Sequence, residues 1–83
     1  MTDQEREKLF KKSLPVVNEL LRSCSAMGAY CMGAVQSLAI RDGIEAPRVL
    51  LEAAAECDSV DRALELYREC LKARTQGIRG DFR

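Results

Sequence analysis

Histidine and tryptophan are both missing from the 83 residues, and aromatic side chains of any kind make up only 5%. The lack of histidine matters most, because histidine is the side chain that takes up and returns a proton near neutral pH. Without it neither a Ser-His nor a Cys-His pair can be assembled. A basic excess is missing as well, since 13 lysines and arginines stand against 13 aspartates and glutamates. Affinity for DNA or RNA comes largely from cations that displace counterions from phosphates, so a chain of zero net charge is a poor candidate for nucleic acid. Neither a G-x-x-x-x-G-K-S/T loop nor a G-x-G-x-x-G loop occurs, which removes the familiar phosphate cradles. There is no C-x-x-C pair either. Cys24, Cys31, Cys57 and Cys70 follow one another at 7, 26 and 13 positions, a spacing unlike that of a zinc knuckle. Carboxylates are plentiful, but Glu52, Glu56, Asp58 and Asp61 cluster beside Arg48 and Arg62, the pattern of a solvated helix surface with local ion pairs. These absences predict a protein that is not an enzyme, with no catalytic residues, no cofactor and no metal.

The opening Met1-Thr2-Asp3-Gln4-Glu5 is polar and acidic where a secretory leader needs a basic start and an apolar run. The expectation is a cytoplasmic protein whose cysteines stay reduced. Cys24 and Cys31, two turns apart on one predicted helix, would lie about 10 Å apart along its axis, too far to bridge. A bridge from Cys31 to Cys57 or Cys70 stays open, but all four fall on apolar stripes, where a free thiol packs as a small hydrophobe. Arg79-Gly80-Asp81 spells an integrin-binding tripeptide, discounted here because adhesion requires export.

What the chain does contain is helix punctuation. Thr2 through Glu5 reads as a capping box that starts a first helix. Leu9 and Phe10 give it a short apolar stripe, and Pro15 interrupts it by removing an amide donor and crowding the Lys11 carbonyl. Either Ser13 caps a new helix with Pro15 in its first turn, or one long helix kinks there, and a break is the favoured outcome. From Leu14 onward Val17, Leu20, Cys24, Met27, Cys31, Val35 and Leu38 recur at steps of three and four, which predicts a long central helix. Asp42-Gly43-Ile44 should end it in a Schellman turn. Pro47 opens a short third helix with Val49, Leu50, Ala53, Ala54 and Cys57 inward. Ser59 caps a fourth, whose stripe is Val60, Ala63, Leu64, Tyr67, Cys70 and Leu71 and whose end is Gly77. The fold class is therefore all-α, a small bundle of three to four helices in one domain over residues 1–77, with a mobile tail over 78–83.

The stretch Ser23 to Ile40 carries no charge across 18 residues. It is interrupted by Ser23, Ser25, Gln36 and Ser37 and by two glycines, so it does not read as a membrane span. A soluble helix that is apolar all round has to be covered all round, and three short neighbours in one chain can hardly do so. Ser25, Ala29, Gly33 and Ser37 recur every four positions and form a smooth face where a second backbone can approach closely. The expectation is that this face is an oligomer or partner interface and that dimerisation completes the bundle. Packing of the alanine-rich third helix into the same face is the alternative.

The functional expectation is a protein-interaction module, a small regulator, inhibitor, adaptor or chaperone-like protein, binding itself as a homodimer and an unidentified protein partner. The alternative is an oligomer that binds a small ligand or nucleotide, with Arg22, Arg41 and Arg48 holding an anion and Tyr30 and Met32 lining a pocket. Weakest is DNA binding by a helix-turn-helix made from the third and fourth segments.

Overall fold

Local hydrogen bonds punctuate the chain into four helices: α1, Asp3–Leu21; α2, Ala26–Arg41; α3, Arg48–Ala55; and α4, Val60–Ile78. The computed structural model describes the backbone of residues 2–78 and the side chains of residues 2–74. Among these residues there is no strand, and the protein is a small all-α bundle. No helix of the described residues is long and apolar enough to cross a membrane. The tail expected over 78–83 lies outside the described residues except for Ile78, which extends α4 one position past the expected end at Gly77.

The capping box is formed: the Glu5 amide donates to Thr2 Oγ1 at 3.2 Å and the Thr2 amide to Glu5 Oε1 at 2.9 Å. From there α1 runs straight through Pro15, contrary to the expected break. Ser13 cannot cap a new helix because its hydroxyl is already committed. It donates to the Phe10 carbonyl at 3.0 Å and accepts from Gln36 Nε2 at 2.7 Å. Pro15 and Lys11 are both exposed, so the carbonyl that loses its donor is on the wet side of the helix.

The break falls instead at Arg22–Ser25, inside what the apolar period predicts as one central helix. Ser25 is the N-cap of α2, its hydroxyl accepting from the Gly28 amide at 2.9 Å. The period through Leu20, Cys24 and Cys31 hides this turn, because apolar residues on both sides of it face the same interior, whereas Met27, expected on the same stripe, is 43% exposed. At its other end α2 closes in the expected Schellman turn. Gly43 has φ 74°, its amide meets the Ile40 carbonyl at 3.0 Å, and the Ile44 amide meets the Ala39 carbonyl at 2.8 Å. α3 begins one residue after Pro47, whose carbonyl accepts from the amides of Leu50 and Leu51 at 3.1 Å. That register buries Leu50, Leu51 and Ala54 and leaves Val49, expected inward, 76% exposed. Ser59 does cap the last helix, accepting from the Arg62 amide at 3.2 Å.

α2 and α3 form an antiparallel hairpin at the centre of the bundle, with α1 on one side and α4 on the other. A β-carbon on Gly28 would lie 2.1 Å from the Ala55 carbonyl oxygen, so the start of α2 touches the end of α3 backbone to backbone. Met32, Leu51, Val35 and Cys31 fill the interior behind that contact. α4 runs alongside α2 in the same sense, since Cys31 Sγ donates to the Ser59 carbonyl at 3.4 Å and Tyr67 reaches Leu38 and Asp42. The Tyr67 hydroxyl donates to Asp42 Oδ2 at 2.5 Å and lies 3.2 Å from the Leu38 carbonyl, fastening α4 to the end of α2.

Burial first, and the bond to Asp42 second, push the Tyr67 hydroxyl up to about 12. Asp42 is held below the ordinary carboxylate value by the Tyr67 bond first and the Arg41 bond second. The native state thus prefers a neutral phenol beside an ionised carboxylate. The tyrosine's contribution to stability is present below about pH 10, its unfolded value, and is lost as pH rises through about 12. The Asp42 contribution is present above about pH 4 and is lost as pH falls below it. Tyr67→Phe should cost about 1–2 kcal/mol at neutral pH and flatten both limbs relative to the parent chain. Urea melts of both proteins from pH 2 to 12 measure this, and parallel stability profiles would refute the assignment.

Candidate functional site

One side of α2, bearing Gly28, Cys31, Met32, Val35, Gln36 and Ala39, is buried under the other helices. The opposite side has no element over it among the described residues. There Ala26, Ala29, Tyr30, Gly33, Ala34 and Ser37 line an open depression of about 500 Å³ without a single charge. The face exists because α2 has apolar or small residues all round and only three neighbours to cover it. Tyr30 stands 74% exposed in its middle, and a β-carbon on Gly33 would meet nothing within 4 Å.

Of the residues expected at an interface, Ala29, Gly33 and Ser37 lie together on this open face. Ser25 stands just beyond it, exposed, its hydroxyl spent on capping. Sequence reasoning passed over Ala26 and Ala34, and it grouped Tyr30 with Met32 as pocket-lining residues. The structure separates that pair, with Met32 fully buried in the core and Tyr30 outward. A signal was available: Ala26, Tyr30, Gly33 and Ser37 follow at steps of four, three and four, one face of a helix that begins at Ala26.

The third helix does not pack into this face. It packs at Gly28 instead and leaves Gly33 open. Two of the three arginines considered for anion binding, Arg41 and Arg48, have counter-ions already, whereas Arg22 has no ion pair among the described residues. Arg41 Nε lies 3.2 Å from Asp42, and Arg48 contacts Glu52 at 3.1 Å as well as Glu19. All four cysteines are free thiols: Cys31 is buried, while Cys24, Cys57 and Cys70 are half-buried, less covered than expected. Burial, then the neighbouring Cys57 and Asp58, push the Cys31 thiol up, which makes it a poor thiolate nucleophile. Among the described residues no three His, Cys, Asp or Glu side chains are grouped to hold a metal ion. Comparison with family models, with curated proteins and with solved structures finds no match for the chain.

The two glycines of α2 make opposite predictions. Gly28→Ala drives a methyl into the Ala55 carbonyl and should destabilise the fold by about 1–3 kcal/mol. Gly33→Ala enters open space and should stabilise it by about 0.5–1 kcal/mol through helix propensity. Thermal melts of the two variants beside the parent chain check the signs. A loss at Gly33 as large as that at Gly28 would mean that the face is occupied within the folded chain.

Proposed function

We propose that this chain is a non-enzymatic protein-interaction module that acts by stoichiometric binding, and that the outer face of α2 is its contact surface. The observation that carries the reading is the uncharged face around Tyr30, open above Gly33, on the helix that also builds the core. Tyrosine offers a large rigid contact with few rotamers to freeze, and it recurs where interfaces concentrate their energy. Small residues around it let another backbone come close. The first occupant is a second copy, with α2 crossing its symmetry mate about a two-fold axis, and the assembled form meets an unidentified protein partner. A reducing cytoplasm suits a chain with four free thiols.

Light scattering at tens of micromolar should return a dimer mass that falls on dilution. Gly33→Leu should give a monomer with an unchanged circular dichroism spectrum, because the added side chain points away from the core and keeps the second backbone off. A monomeric parent chain at that concentration would remove self-association from the proposal.

The binding role has its own measurement. Added to a cell extract in which the protein exerts an effect, it should act to a plateau at a fixed molar ratio to its target and show no further change with incubation time. Many turnovers of a substrate by a substoichiometric amount would replace the proposal with catalysis.

A further inference from the structure

Where the outer face of α2 turns toward α4, it continues through Ala34 and Ser37 into a groove of about 550 Å³ between the two helices. Its walls are Leu38 from α2 and Val60, Leu64 and Leu71 from α4, all only half-buried, over a floor made by Tyr67. The two ends differ in charge. Beside Val60 and Ala34 the lining is neutral, whereas the end past Tyr67 carries Arg41 and Arg68 against the single carboxylate of Asp42. That carboxylate is already engaged by the Tyr67 hydroxyl and by Arg41. Arg68 is exposed and has no ion-pair partner among the described residues. The groove is thus an apolar slot with an uncompensated cation at one end.

We infer that this groove receives an amphipathic helix of a different protein, with leucine-type side chains pressed between α2 and α4 and carboxylates placed beside Arg41 and Arg68. A third helix laid into the seam between two parallel ones is how a helical bundle gains a member. Anchors at i, i+3 or i+4, and i+7 would reach the half-buried leucines in turn. The acidic end sets the orientation, since reversing the helix would leave carboxylates over Val60 and Arg68 without a counter-ion. The inference rests on the reading of the chain as an interaction module, but not on its self-association.

The test is selection from a displayed library of amphipathic helices, with apolar and charged positions randomised, on the immobilised full chain. Enriched helices should carry the three apolar anchors and cluster aspartate or glutamate at one end. Arg68→Glu should weaken them by about tenfold and reverse the salt dependence, so that added salt no longer weakens binding, and Leu64→Lys should weaken them further. Arg68→Glu changes an exposed side chain, so it remains decisive if Leu64→Lys fails to fold. Several results would overturn the inference. One is that no helix is enriched, or that enriched helices bind both variants as they bind the parent. Another is binding that appears only after residues 79–83 are removed, which makes the chain's own end the occupant. A fall in mass of Arg68→Glu by light scattering would make it a second copy. Binding lost with Gly33→Leu but indifferent to Arg68→Glu would dismiss the groove while leaving the interaction-module reading intact.

Discussion

The backbone contact between Gly28 and Ala55 sets the geometry on which the rest of the bundle depends. Closing α2 onto α3 at a distance no β-carbon tolerates gathers Cys31, Met32 and Val35 with Leu50, Leu51 and Ala54 into one buried core. The Schellman turn at Gly43 holds the other end of the same hairpin, so α2 and α3 are fixed at both ends. α1 and α4 then add to opposite sides of a pair that is already rigid, and among the described residues they do not contact each other.

Apolar packing alone would leave the outer helices free to slide, because hydrophobic burial has no direction. Two polar contacts supply it. Gln36 with Ser13 sets the register of α1, and Tyr67 with Asp42 sets that of α4. Both use groups that would be costly to strand in the interior, so a shifted register loses a bond and keeps the desolvation penalty. Among the described residues no buried side-chain nitrogen or oxygen lacks a partner, as such an arrangement requires.

The same economy accounts for the exposed surface. A bundle this small has too few residues to cover a helix that is apolar or small on every side. Its interior takes one side of α2, and the other side is left to solvent with Tyr30 outward and Gly33 open above. The groove toward α4 has the same origin, since α1 lies on the far side of the hairpin and Leu38, Leu64 and Leu71 remain half-covered. Function on this reading resides in surface that folding could not bury, not in a set of reactive groups.

By itself the sequence determined what neighbouring residues settle among themselves. The all-α class, the capping box at Thr2, the Schellman turn at Gly43 and the cap at Ser59 were legible because each is made within about five residues. The face containing Ala29, Gly33 and Ser37 was legible from its spacing for the same reason. Only the tertiary structure decided that α1 passes through Pro15, because the Ser13 hydroxyl, besides its local bond to the Phe10 carbonyl, accepts from Gln36, 23 positions away. It decided likewise that the chain turns at Arg22–Ser25, where an unbroken apolar period conceals a change of helix. And it decided which glycine lies against a backbone and which faces open space, since a glycine carries no side chain to announce its surroundings and only the approach of another helix distinguishes Gly28 from Gly33.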